Sequence, residues 1–212
     1  MFAGTVLTDM LRALASGLQT PVIAVLLILV ATTIVMVGTL IGEGITERRH
    51  LKVKLPQLVD NIKKTDADGD IKEVINNSGL LKRQLHILLE LVSHPELTDS
   101  MREALARRLI FEEQMHYNRI TRITDLIVKL GPMLGLMGTL IPLGPGLIAL
   151  GQGDTYTLSL SLLTAFDTTV TGLIVAAVSF VVSGIRKGWY ENYMTATEAA
   201  AECLLEREGG FK

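Results

Sequence analysis

A chain of 212 residues that is 49% hydrophobic and only 20% charged, with a mean hydropathy of +0.40, has the composition of a membrane protein rather than of soluble domains. Its net charge of −2 gives no electrostatic footprint for nucleic acid, and no compact Lys/Arg run marks an anionic-lipid tether. The single cysteine, Cys203, excludes an internal disulfide framework and a Cys/His zinc cluster, and reads as a small apolar residue on a C-terminal helix.

Residues 1–19 lack the basic start and apolar core of a cleaved signal, because Asp9 and Arg12 interrupt them. Phe2, Val6, Leu7, Met10, Leu11, Leu14 and Leu18 recur at helical spacing. That pattern suits an amphipathic interfacial helix, or a helical extension of the span that follows. Residues 20–42 are the first predicted span: Pro21 to Ile41 carry no charge, and at about 1.5 Å per residue they cover roughly 30 Å of hydrocarbon.

Residues 43–125 read as a cytoplasmic helical domain. Leu80, Leu81, Leu85, Leu88, Leu89 and Val92 make one apolar stripe, and Leu105 and Leu109 continue toward the polar Glu112-Glu113 and the second span. Helix breaks fall at DADGD (Asp66 to Asp70), NNSG (Asn76 to Gly79) and SHPELTDS (Ser93 to Ser100), where Pro95 stops one helix and Thr98 or Asp99 can cap the next.

The second span, 126–151, is interrupted only by Lys129 and by Pro132, Pro142 and Pro145. A short external loop, 152–157, leads to the third span, 158–185, so the last two spans form a tight antiparallel hairpin. A C-terminal helix, 186–212, follows. The fold class expected is all-α: three transmembrane helices extended into a cytoplasmic helical bundle.

Orientation follows from the basic residues. Of the 20 Lys/Arg, 14 sit between Glu43 and Asp125, four follow Ile185, and the second-to-third loop has none. Arg48, Arg49, Lys52, Lys54, Arg119, Arg122, Arg186 and Lys187, beside the spans, carry most weight and place the large loop and the tail in the cytoplasm, with the N-terminus outside. Trp189, Tyr190 and Tyr193 suit an inner aromatic belt, and Tyr156 an outer one.

Several motifs fail on inspection. From Asp66, an EF-hand would need glycine at its sixth position and glutamate at its twelfth, where Ile71 and Asn77 stand, so DADGD reads as a solvated turn. His86, His94 and His116 are too scattered for a metal face, and GLMGTLIPLGPG lacks the strand and lysine of a phosphate loop. No histidine or lysine lies close in sequence to the third span's hydroxyls to activate a nucleophile, so no enzyme is expected, and no cofactor.

What remains is SLLTAFDTTVTGLIVAAV, Ser161 to Val178, with Asp167 inside an otherwise apolar span. An ionised carboxylate near a helix centre costs on the order of 2.5–3.5 kcal/mol on insertion scales, so it should be protonated, paired or facing a wet cavity. Asp167 lies about nine residues from the outer end of its span, roughly 14 Å along the helix and close to the midplane. At about 100° per residue, Ser161, Thr164, Asp167, Thr168, Thr171 and Ser179 share one side, with Val175 interrupting them. Such hydroxyls serve an ion path or pack helices together, and the aspartate favours the path.

Gly131 to Leu140, GPMLGLMGTL, and Ala165 to Ala177, AFDTTVTGLIVAA, resemble the two span motifs of the MotA/TolQ/ExbB proton-channel family. The layout resembles its three-span ExbB/TolQ branch and not four-span flagellar MotA. The resemblance implies a ring-shaped homo-oligomer, typically a pentamer, in the cytoplasmic (inner) membrane. Its second and third spans would line a pore around a single-span ExbD/TolR/MotB-type partner moved by proton or sodium flow. It places the pore threonines at Thr139 and Thr169, and close-packing glycines at Gly135, Gly138 and Gly172, which small-residue packing also suggests.

The chain departs from the family pattern at five positions. Thr164 stands where the branch usually has a glutamate, Val178 replaces a proline, Pro142 and Pro145 are additional, and Asp167 occupies an ordinarily apolar position. Either the acidic group has moved by about one turn or Asp167 joins subunits. Thr169 lies about 140° around the helix from Thr164, outside the Asp167 stripe. The function expected is the channel-forming stator of an ion-driven motor or transducer, with ion-path residues Thr139, Thr164, Asp167, Thr168, Thr169 and Thr171. The alternative is a non-conducting membrane scaffold.

Overall fold

The computed structural model describes residues 7, 10, 11, 13, 14, 17–47, 61, 68–78, 82–94 and 96–209. In chain order it contains α1 (Gln19–Glu47), α2 (Asp68–Asn76), α3 (Lys82–Val92), α4 (Asp99–Gly151) and α5 (Thr155–Gly209), with no strand among the described residues. Phe2, Val6, Asp9, Arg12, Arg48, Arg49, Lys52, Lys54, Asp66, Gly79, Leu80, Leu81 and Pro95 lie outside the described residues.

Three helices are long and apolar enough to cross a membrane, over Gln19–Ile45, Asp99–Gly151 and Thr155–Glu206. Ahead of the first, the N–H groups of Leu18 and Val22 donate to the carbonyls of Leu14 and Leu18, so helical bonding runs into α1 from the preceding segment.

At the start of α4 the Thr98 carbonyl accepts the Arg102 N–H at 2.9 Å. Thr98 thus takes the cap position, and Asp99 sits in the first turn, where a carboxylate suits the positive end of the helix dipole. α4 runs unbroken through Pro132, Pro142 and Pro145. Proline has no N–H, so the carbonyls of Val128, Gly138 and Ile141, four residues earlier, lose their helical donors.

The turn into α5 is closed by Gly153, whose φ of 78° suits a residue without a β-carbon. Asp154 then caps α5, accepting the Thr157 N–H at 3.0 Å and the Thr157 hydroxyl. Those two bonds hold the Asp154 carboxyl below its usual range.

The chain divides into two packed units, Met1–Gly38 with Arg122–Ser183, and Thr39–Thr121 with Gly184–Lys212. The second has a core in which Ile71 and Ile75 of α2, Ile87, Leu88 and Leu91 of α3, and Ala200, Cys203 and Leu204 of α5 are buried together. Leu85 and Leu89, predicted on the apolar stripe, and Leu105 and Leu109 pack against it. Cys203 is a buried packing residue.

Tyr190 and Tyr193 turn into this unit instead of forming an outward belt. Tyr117 and Tyr190 stack with ring centroids 4.2 Å apart, and Tyr193 is 3% exposed. Stacking and burial of two rings outweigh what a tyrosine gains at an interface.

The same unit holds an ion pair between a buried arginine and a half-buried glutamate. The Arg186 guanidinium donates to both Glu43 oxygens at 3.2 Å and to the Thr39 hydroxyl at 2.8 Å, with its side chain 3% exposed. Burial of an arginine is tolerated only with such pairing.

Candidate functional site

In the first unit α4 and α5 form an antiparallel hairpin whose helices touch through backbone. A β-carbon on Gly131 would lie 2.7 Å from the Gly172 carbonyl oxygen, and one on Gly172 would lie 2.5 Å from the Gly131 carbonyl oxygen. Further along, Gly135 meets the backbone of Thr169, Gly138 meets the side chain of Thr168, and Gly146 meets Ser161. Small residues let the helices approach to this distance, and van der Waals contact then holds them in a medium where lipid is as apolar as leucine. Gly135, Gly138 and Gly172 are thus at the contact, together with Gly131 and Gly146.

α1 joins this unit through polar contacts, and its Val22 and Leu26 are buried. The hydroxyls of Thr33 and Ser179 are 3.2 Å apart and buried, and the Thr124 hydroxyl donates to the Met36 sulfur at 3.6 Å. Ser179, assigned by periodicity to the Asp167 stripe, is therefore used in packing against α1.

The threonines direct their hydroxyl hydrogens to backbone carbonyls of their own helices, Thr169 sharing its hydrogen with a carbonyl of the facing helix as well. Thr139 donates to the Leu136 carbonyl at 2.7 Å, Thr164 to Leu160 at 3.0 Å, and Thr171 to Asp167 at 2.7 Å. Thr168 donates to Thr164 and Ala165 at 3.0 Å, and Thr169 to Ala165 at 3.1 Å and across the hairpin to Gly135 at 3.3 Å. With the hydrogens committed, each hydroxyl presents oxygen lone pairs, the polarity that receives a cation.

Contacts and helical rotation divide the expected ion-path residues between sides. Thr168 is buried against Gly138, and Thr169 reaches Gly135, so α5 faces α4 with the arc between these two threonines. Asp167, about 100° back from Thr168 and about 200° from Thr169, points away from α4, and it is exposed. Leu163, Phe166, Val170 and Ile174 around it are exposed and apolar. Thr164 and Thr171 are half-buried beside it.

Because the helices are antiparallel, one step forward from the facing pair Gly138 and Thr168 turns both helices toward the same side. That step reaches Thr139 and Thr169, both half-buried. Thr139 and Thr169 therefore share one side of the hairpin and Asp167 lies on the other.

A family model described as the MotA/TolQ/ExbB proton channel family matches residues 71–199, which include both glycine-bearing helices and their threonines. The chain belongs to this family. The match takes in all of α3 and α4 and most of α2 and α5, and the three candidate spans agree with the three-span branch of MotA/TolQ/ExbB proteins. Among curated proteins, none matches the chain.

Three features of this MotA/TolQ/ExbB chain were not singled out from the sequence. Gly131 opens the second-span motif but is ordinary until Gly172 is seen against it. Arg186 reads as a topology signal, whereas its partners Glu43 and Thr39 are 143 and 147 residues away in the chain. Asp125 and Ser183, linked by a 2.6 Å hydrogen bond, sit at span ends, where a carboxylate and a serine look unremarkable. No group of three potential metal ligands occurs among the described residues.

Proposed function

We propose that the chain is the channel-forming stator subunit of an ion-driven membrane motor or energy transducer. It conducts protons, with sodium as the alternative cation, in the cytoplasmic membrane with its N-terminus outside and its C-terminus in the cytoplasm. It works as a ring-shaped homo-oligomer, a pentamer on the family pattern, around a single-span partner of the ExbD/TolR/MotB type. Each elementary charge crossing about 100 mV releases about 2.3 kcal/mol, which is enough to bias a conformational step in that partner.

The observation that carries this reading is the common side of Thr139 and Thr169. Two hydroxyls whose hydrogens are bound to backbone carbonyls offer lone pairs to a passing cation, and the glycine contact fixes their spacing. Thr164, Asp167, Thr168 and Thr171 have supporting parts: Thr168 sets the hairpin contact, and Asp167 with Thr164 and Thr171 forms a polar patch on the other side.

The exposure of Asp167 on that other side favours a second role, in which the carboxylate joins copies of the chain. If that role were the whole of its function, the protein would be a non-conducting scaffold. Native mass spectrometry and cation uptake, measured on Asp167→Asn and on Thr139→Val, separate the readings. The stator reading expects Thr139→Val to assemble normally and lose uptake. Unchanged uptake in both variants would refute it.

A further inference from the structure

Ser183 of α5 donates its hydroxyl to Asp125 of α4 at 2.6 Å. Ser183 is buried and Asp125 half-buried, so the hairpin that carries Thr139 and Thr169 also holds a carboxylate in place. Thr139 lies 14 residues after Asp125 in α4, and Thr169 lies 14 residues before Ser183 in α5.

For packed helices 14 residues are two heptads, which bring a side chain back to nearly the same side at about 3.5 residues per turn. In an antiparallel hairpin the pair Asp125 and Ser183 therefore repeats the cross-hairpin position of Thr139 and Thr169, about 21 Å further along. The rung midway between them pairs Pro132 with Ala176 and has no ionisable group. Asp167 stands off this line, on the opposite side.

We infer that Asp125, with Ser183 as its hydrogen-bond donor, is the ion-accepting carboxylate at the cytoplasmic end of the Thr139–Thr169 path. This rests on the proposed conducting role and orientation of the hairpin. Threonine hydroxyls guide a cation but do not hold it, whereas a carboxylate takes a proton and gives it up again. The step forms one O–H bond on Asp125 and breaks it when the proton leaves to water, so it needs no co-reactant. A sodium ion would bind the same oxygens without any bond change.

The charged neighbours of Asp125 on its own helix are Arg122 and Lys129, one turn to either side. α5 carries no ionisable side chain between Asp167 and Arg186, and Thr33 and Met36 of α1, which hydrogen-bond to Ser179 and Thr124 in this unit, are both uncharged. Asp125 is thus the carboxylate that α4 places on the threonine line.

The test uses the chain purified from membranes with its bound partners and placed in vesicles under an imposed potential. Proton uptake is read by an internal pH dye and sodium uptake by a tracer. Whichever cation the wild type moves, Asp125→Asn is expected to lower its uptake by about tenfold or more, with Asp125→Glu restoring most of it. Native mass spectrometry is expected to show the same assembly for all three.

Full uptake by Asp125→Asn alongside lost uptake by Thr139→Val would overturn this inference and leave the conducting role standing. Disassembly by the Asn and Glu variants alike would make the pair a structural clamp, and would also overturn it. A wild type that moves neither cation would remove the conducting role and this inference with it.

Discussion

Gly131 and Gly172 meet backbone to backbone: a β-carbon added to either would lie within 2.7 Å of the other's carbonyl oxygen. A methyl group there has no flexible side chain to displace, so the helices must separate. Gly172→Ala is expected to cost about 1–3 kcal/mol by overpacking, and Gly131→Ala a similar amount. Gly144, on the same α4, meets no other helix within 4 Å of an added β-carbon. Its change to alanine should be near neutral, because the roughly 1 kcal/mol that alanine gains over glycine inside a helix is opposed by the clash of its β-carbon with the Pro145 ring that follows. Unfolding of the detergent-solubilised variants would show the contrast, and equal effects at Gly144 and Gly172 would argue against the contact.

Breaking the Arg186–Glu43 pair should be among the more damaging single changes in the second unit. Glu43→Ala leaves a guanidinium 3% exposed without its carboxylate, for which a cost of about 3–5 kcal/mol is typical. Arg186→Lys should not rescue, because a lysine cannot span both Glu43 oxygens and Thr39 in a planar fork. Thermal unfolding of both variants measures this, and a Lys variant as stable as the wild type would count against the bidentate geometry.

His94 supplies a pH dependence outside the spans. A hydrogen bond to Glu96, with help from Glu90, raises its pKa above the ordinary 6.5. A raised histidine stabilises the fold fully below its unfolded pKa, and that stabilisation is lost as pH rises through the folded value. Glu96 has its pKa lowered by the same bond, so its share is present above its unfolded pKa and lost as pH falls. The contact is therefore strongest between the carboxylate and histidine ranges. Titration of the His94 ring by NMR should show a downward shift in Glu96→Gln, and no shift would mean that the pair does not form.

At the opposite end of the hairpin, Asp154 has a lowered pKa from its bonds to Thr157. Its capping contribution is present above the unfolded carboxylate pKa and is lost as pH falls through the folded one. Asp154→Ala should expose the first turn of α5, whereas Asp154→Asn, also a good cap, should protect it. Hydrogen exchange at residues 155–158 reads this directly, and equal protection in both variants would remove the cap from the account.

Much of this architecture was legible in the sequence because bilayer thickness and helical periodicity act locally. The charge-free run from Pro21 to Ile41 and the short turn between α4 and α5 needed no tertiary information. The glycines at 135, 138 and 172 are named through the resemblance to the family's span motifs, with which small-residue packing agrees. The sides of α5 could not be divided so simply, because periodicity groups Ser179, Thr168 and Asp167 without saying which helix each one meets. Ser179 goes to Thr33, Thr168 to Gly138, and Asp167 to neither. Likewise Arg186 was read through its charge, while its burial depends on Glu43, far away in sequence. Asp125 and Ser183 stand at span boundaries, where nothing local distinguishes them, and only their two-heptad spacing from Thr139 and Thr169 sets them apart.

In the proposed function, cations pass along the side of the hairpin bearing Thr139 and Thr169. The decisive measurement is potential-driven cation uptake by vesicles containing Thr139→Val/Thr169→Val, set against wild type and against Asp167→Asn. The double valine variant should assemble as the wild type does and lose uptake. Wild-type uptake by the double valine variant, in an intact assembly, would contradict it.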